Sequence, residues 1–272
     1  MRMKQTNNLF ITGLCALAMM LLSQPAHAQD RIDYGIFDHL GAGVSLGTDG
    51  IGIDVAAPLT NYLAFRTGIS FWPGIKIKKK DIHIKDDDPL LYDHVDVEGK
   101  LNIFDFKFLA DFYPIKESSF HITAGAFIGS ENVVTATNTS MIINNPAKYG
   151  QVGIGLGDYW LTTDEKGYVH ADVKVNSFKP YVGFGFGRAI PRKGRVSVSC
   201  DFGVKFWGKP GLGAMTKDFK HSTPDHSIES YHVFSYDDLN EDDDEDIRDG
   251  MKLAEKFVCF PVLNVRISGR IF

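Results

Sequence analysis

From Leu263 to Ile271 the chain alternates without a break. Leu263, Val265, Ile267, Gly269 and Ile271 fall on one side, and Asn264, Arg266, Ser268 and Arg270 on the other. Side chains of an extended strand point alternately to its two faces, so this segment suits a sheet with two unlike neighbours. One arginine on such a face could sit at any wet sheet edge. Two of them, opposite an apolar row that runs to the terminal Phe272, point to a barrel wall between lipid and a wet lumen.

The start of the chain says where such a wall could be built. Arg2 and Lys4 precede an apolar run from Leu9 to Leu22, and Ala26-His27-Ala28 then offers small residues for processing. The pattern predicts a signal peptide over residues 1–28, cut between Ala28 and Gln29, and one barrel domain over residues 29–272. The apolar run is short for a membrane span, and no later segment reaches the length a membrane helix needs. Cys15 follows Thr12-Gly13-Leu14, a poor lipoprotein processing site. An exported soluble β-protein and an inserted barrel both fit this leader. Its removal takes the net charge from −5 to −7, which argues against the basic face a nucleic-acid partner requires. Only Cys200 and Cys259 remain after processing, so the chain is no disulfide-built scaffold.

Seven further segments repeat the pattern of the last one. Val196, Val198, Cys200, Phe202, Val204 and Phe206 alternate with Arg195, Ser197, Ser199, Asp201, Gly203 and Lys205. Phe104, Phe106, Phe108, Ala110 and Phe112 alternate with Asp105, Lys107, Leu109 and Asp111. Phe120 to Ile128 and Leu63 to Phe71 behave alike, the latter with Arg66 on its polar side. Leu40 to Leu46, Ile51 to Ala57 and Val182 to Phe186 carry glycines on the inner side, with Asp54 on the second of them. Clustered glycine weakens a strand and needs a reason. A narrow barrel supplies one, because small inward residues leave room for long side chains from neighbouring strands.

The connections fall into two classes. Pro58 to Asn61, Pro114 to Ser118 and Pro191 to Gly194 are short, and each carries a proline that stops the ladder. Apart from the brief Gly47 to Gly50, the others are long: Pro73 to Gly99, Glu131 to Lys179, and Lys209 to Lys256. Short and long connections therefore alternate, as periplasmic turns and external loops do in transmembrane barrels. The expected fold is all-β: an antiparallel up-and-down transmembrane barrel of eight strands. Tyr159 to Thr163 and Tyr168 to Val175 read as a β-hairpin, taken as an extension above the membrane, with a ten-strand barrel as the alternative. A bulge near Asn176 to Pro180 is expected, because the apolar parity there changes from odd to even.

Lys179-Pro180-Tyr181-Val182-Gly183-Phe184-Gly185-Phe186-Gly187-Arg188, Phe202 to Pro210, and Phe260 to Phe272 give the chain a family likeness. Through them it resembles the small outer membrane β-barrel proteins of Bacteroidetes-type Gram-negative bacteria, most strongly over residues 150–272. The resemblance implies an integral outer membrane barrel. Such families include porins, adhesins and lipid-modifying enzymes, so it leaves activity open.

Asp54, Arg66, Asp105, Lys107, Asp111, Arg195, Asp201, Lys205, Arg266 and Arg270 are the expected lumen charges, with His39 and His121. They suit either a selective pore or a self-neutralising network that plugs an interior just wide enough for side chains. Glu241 to Asp246 spaces Asp242, Asp244 and Asp246 like calcium-loop ligands, but Ile247 stands where such a loop needs glycine. His221, His226 and His232 share no common face. His232, Ser235 and Asp237, or His221 and Ser222, are the candidates for a lipid A-modifying enzyme, and no strand fixes a nucleophile against a base there. No catalytic, cofactor or metal site is expected, and the reading is of a non-enzymatic barrel. Its expected partners are outer membrane lipids, lipopolysaccharide and, during insertion, the barrel-assembly machinery. A structural or surface-recognition role comes first, a narrow channel second and lipid A chemistry third.

Overall fold

The computed structural model describes residues 33–83, 92, 94–143, 145, 147, 153–156, 159–164, 166–192, 194–218, 229–235 and 245–271. The expected cleavage site at Ala28 and Gln29, and Phe272, lie outside them.

From its first strand the chain goes up and down a cylinder. β1 (Gly41–Gly47) turns tightly into β2 (Gly50–Pro58), which turns into β3 (Leu63–Phe71). A first long connection carries β4 (Lys76–His83) and β5 (His94–Leu101), then β6 (Phe104–Phe112) and β7 (Phe120–Gly129) follow. A second long connection holds β8 (Asn132–Asn138), β9 (Gly153–Leu156), β10 (Tyr159–Thr162) and β11 (His170–Lys174). It leads to β12 (Phe178–Phe186) and β13 (Val196–Phe206). The third holds β14 (Gly211–Asp218), β15 (Glu229–Phe234) and the helix α1 (Glu245–Ala254), before β16 (Cys259–Arg270) ends the described chain.

Eight of these strands close a barrel in the order β1-β16-β13-β12-β7-β6-β3-β2, every neighbour antiparallel. These are the eight segments the alternation marks. β16 closes onto β1 with Gly41 opposite Arg270 and Gly47 opposite Asn264. No sheet edge is left within the cylinder, which is the condition for spanning lipid with strands.

The three long connections are not separate loops. β4, β5, β8, β11 and β14 form a second sheet in that order. Each of them prolongs a barrel strand across a break of two to four residues, and β3, β6, β7, β12 and β13 neighbour one another in the same order. Backbone hydrogen bonds bridge the breaks, from Trp72 N to Ile103 O, Asn102 N to Val133 O and Asn176 N to Trp207 O. Five adjacent barrel strands thus run on into a wall above the cylinder, whereas β1, β2 and β16 stop at the rim.

The wall corrects the hairpin reading. The turn itself forms, with Asp164 N donating to Tyr168 O and Gly167 N to Asp164 O. Its flanks do not pair with each other. β10 pairs with residues 216–218 of β14 and β11 with residues 211–214, both antiparallel, while β15 occupies the opposite edge. β10 and β11 are therefore two pieces of one interrupted strand, with the turn closed by Asp164 N to Tyr168 O between them. The prolongation of β12 and β13 fixes β11 beside β14, and this overrides the local turn.

The expected parity change near Asn176 also has a different origin. Val173 and Val175 face the same side as Leu101 and Ile103, over the lumen mouth, where they meet Val133, Trp72 and Trp207. Lys179 and Tyr181 continue that inward side below. What changes is the surroundings. Within the membrane the outer face meets lipid and is apolar, and above it the outer face meets water and is polar.

Candidate functional site

The cylinder is inside out relative to a water-soluble domain. Its outward rows are exposed and apolar, among them Leu46 on β1, Ile53 on β2, Phe106 on β6, Phe184 on β12, Phe202 on β13 and Ile267 on β16. Its buried residues include Asp54, Arg66, Asp105, Lys107, Asp111, His121, Lys179, Asp201, Lys205 and Arg266. A continuous exposed apolar surface of this extent suits hydrocarbon and no aqueous compartment.

Three charge clusters fill the lumen. Toward the lower end, Arg66 donates through Nη2 to Asp111 Oδ1 at 2.8 Å and through Nη1 to Asp201 Oδ2 at 2.9 Å. Its Nε also stands 2.7 Å from Asp111 Oδ2, off the line of the N–H, so that contact is a charge contact and no hydrogen bond. Thr123 donates to Asp111, and His121 Nε2 lies 2.8 Å from Asp201 Oδ1. Opposite, Arg266 Nε donates to Asp54 Oδ1 at 2.8 Å, and Lys107 Nζ stands 3.2 Å from Asp54 Oδ2. Toward the outer end, Asp105 accepts from Lys179 at 2.6 Å on one oxygen and from Lys205 at 2.9 Å on the other. The carboxylates and cations are thus paired, as burial of charge requires.

Glycine makes the space. A Cβ on Gly43 would stand 2.6 Å from the Arg266 guanidinium carbon, one on Gly52 2.7 Å from Lys107 Nζ, and one on Gly185 2.6 Å from His121 Nε2.

Apolar layers lie toward both ends. Below, Tyr34, Ala56, Ala64, Tyr113, Ala189 and Ile190 pack together, and the Tyr34 hydroxyl donates to Ile190 O at 2.9 Å. Arg188 lies 4.3 Å over the Tyr113 ring. Higher up, Leu109, Phe127, Tyr181 and Val262 form an apolar shelf inside the lumen, joined by Phe260. Trp207 meets Phe260 at 4.8 Å between ring centroids and carries the layer into the collar of Trp72, Ile103, Val133 and Val175. Between the charges a cavity of about 10 Å³ is left, lined by Ser45, Asp54, Arg66, Lys107, Tyr181, Asn264 and Arg266 among others. That is room for roughly one water.

No protein-family model and no curated protein matches the chain. Solved structures resemble it over most of its length. The chain is similar to CarO2 of Acinetobacter baumannii, at 17% identity and a TM-score of 0.43, covering 85% of this chain and 98% of that one. It is similar also to CarO of the same bacterium, at 18% identity and a TM-score of 0.41, covering 84% and 96%.

Of the ten charges expected in the lumen, Asp54, Arg66, Asp105, Lys107, Asp111, Asp201, Lys205 and Arg266 are brought together there. Arg195 and Arg270 are not. Arg195 is exposed just below β13, and Arg270 donates from the rim to Pro191 O at 3.2 Å. Both stand at the lower strand ends, where the Tyr34 and Ile190 layer fills the lumen and leaves the rim to water. His39 likewise stays below β1, 2.9 Å from Asp38.

Three buried charges were not anticipated: Lys179, Asp49 and Arg192, the last of which donates to Asp33 Oδ1 at 2.8 Å below the barrel. Lys179 lies in phase with Tyr181, Gly183 and Gly185 on the inward row of β12, but the adjacent Pro180 reads as a strand boundary. Pro180 nonetheless keeps register with Ala126 of β7. Asp49, in the β1–β2 turn, is 1% exposed, and among the described residues its carboxylate accepts no hydrogen bond.

Cys200 and Cys259 are free; Cys259 ends the β13–β16 ladder opposite Phe206, and Cys200 lies near its middle opposite Val265. His232 packs edge-on against Phe234 at 4.7 Å. His221, Ser222, His226, Asp237 and residues 241–244 of the acidic run lie outside the described residues. Residues 245–254 form α1, whose Met251 packs on Leu161, Ala214 and Phe234. Among the described residues no group of three or more His, Cys, Asp or Glu is placed to hold a metal ion.

Proposed function

We propose that the chain is an exported, non-enzymatic outer membrane barrel with a sealed polar interior, acting in surface recognition through the wall its long connections build. The observation that carries this reading is the lumen itself. Paired charges lie between the Tyr34–Ile190 layer and the Trp72–Trp207 collar, around a cavity of about 10 Å³. Permeation would require several buried ion pairs to open at once, each costing several kcal/mol. The interior therefore holds the barrel in register, and the face offered to partners is the upper sheet.

The leader over residues 1–28 supports export, and the apolar exterior supports insertion in lipid. Affiliation with small outer membrane barrels of Bacteroidetes-type bacteria is proposed on the motifs quoted above. Planar-bilayer recording of the refolded mature chain tests the sealed interior. No stable unitary conductance is expected, and reproducible conductance steps would overturn the reading in favour of a narrow channel.

A further inference from the structure

We propose that Lys76, Lys78 and Lys100 form a phosphate clamp for a phosphorylated, multiply acylated glycolipid of the outer leaflet, the lipid A class. The proposal rests on the outward orientation of the wall given above.

The β4–β5 register sets Lys76 directly opposite Lys100, and both are exposed. Like charges directly opposite on an antiparallel pair oppose its formation. One carboxylate offsets them: Glu98 lies 2.7 Å from Lys76 Nζ and 3.3 Å from Lys78 Nζ. Among the described residues no carboxylate is within ion-pair distance of Lys100. Among the described residues Glu98 is the one acid paired with these lysines, so the ammonium groups of Lys76, Lys78 and Lys100 stand in excess on the polar, outward face of the wall.

Its height identifies the anion. β5 enters β6 across only Asn102 and Ile103, and the outward row Phe104, Phe106 and Phe108 is exposed below. Lys100 stands four residues above Phe104 on that row, about 13 Å along the strand and about 9 Å along the membrane normal at a tilt near 45°. That is headgroup depth. A phosphate there can meet Lys100 and Lys76 together, and acyl chains can lie along the phenylalanine column. Lysine serves as a compact point charge toward phosphate, which suits contact across two strands.

The test uses the purified mature chain in nonionic micelles carrying bisphosphorylated lipid A, the same lipid stripped of phosphate, or phosphatidylglycerol. Retained lipid is read by native mass spectrometry, for the native chain and for a Lys76→Gln/Lys78→Gln/Lys100→Gln variant. The native chain should retain the bisphosphorylated lipid at least about tenfold over the stripped one, and the variant should lose that preference. In lipid-free micelles the variant should unfold close to the native temperature, because the Lys76–Lys100 repulsion and the exposed Glu98 ion pairs are lost together. Equal retention of stripped lipid, equal retention of phosphatidylglycerol, or undiminished binding by the variant overturns the proposal. Labelling Lys166→Cys on intact cells with an impermeant maleimide separates the two readings. Labelled cells without lipid preference remove the clamp alone, and unlabelled cells remove the outward wall as well.

Discussion

Asp105 on β6 holds Lys179 of β12 at 2.6 Å, although β7 lies between their strands. The second oxygen of the same carboxylate holds Lys205 of β13 at 2.9 Å. One acid thus ties three strands together beneath the collar, and Lys179 also donates to Ser130 O at 2.8 Å.

Asp105→Ala should lower unfolding stability by about 3–5 kcal/mol, because it strands two buried ammonium groups. Replacing the whole set, with Asp105→Leu, Lys179→Met and Lys205→Met, should recover most of that loss. Urea midpoints followed by heat-modifiable gel migration compare the two. A triple variant weaker than the single one would show that the charges do more than offset one another.

Gly43→Val should destabilise by roughly 3 kcal/mol, through overpacking and displacement of Arg266 from Asp54. Its outward neighbour gives the control. Ala42→Val adds a lipid-facing methyl pair and should stay within about 0.5 kcal/mol of the native chain. The same urea series measures both, and equal effects would mean that Arg266 is free to move aside.

Burial pushes the Tyr34 phenol up to about 12. Its folded value exceeds that of an unfolded chain, so its contribution is complete below about pH 10 and is lost as pH rises through about 12. Tyr34→Phe removes the titration and the hydrogen bond to Ile190 O, costing about 1 kcal/mol at neutral pH. The native chain's advantage over the variant should vanish and then reverse between about pH 10 and 12, read by urea unfolding at each pH. A constant gap would mean the phenol does not titrate with folding.

A peptide epitope inserted between Asp164 and Gly167 should leave the barrel's heat-modifiable migration intact and be detected on whole cells. The Asp164–Tyr168 turn interrupts the β10–β11 strand away from the β14 ladder, so an insertion there breaks no ladder. Loss of the folded band would restore a paired hairpin at this place.

Much of the cylinder is legible residue by residue. Phe104 to Phe112 and Val196 to Phe206 alternate cleanly, and Pro58, Pro114 and Pro191 mark the short turns. The wall was less legible because its apolar face turns inward where the surroundings change from lipid to water. Val173 and Val175 therefore read as outward-facing, and Lys179 was lost beside Pro180. Arg195 and Arg270 keep the lumen's phase yet lie at a rim already filled by Tyr34 and Ile190.

The sequence by itself determined eight spans, a charged side facing in, and the split between short and long connections. These depend on period-two alternation and on proline and glycine, which act within a few residues. Only the tertiary structure decided which cation meets which carboxylate, since Arg266 and Asp54 are 212 residues apart in the chain. It also decided that the long connections join into one wall and that the lumen charges pair across strands. Those outcomes require closure of the barrel, which brings strands remote in sequence into one register.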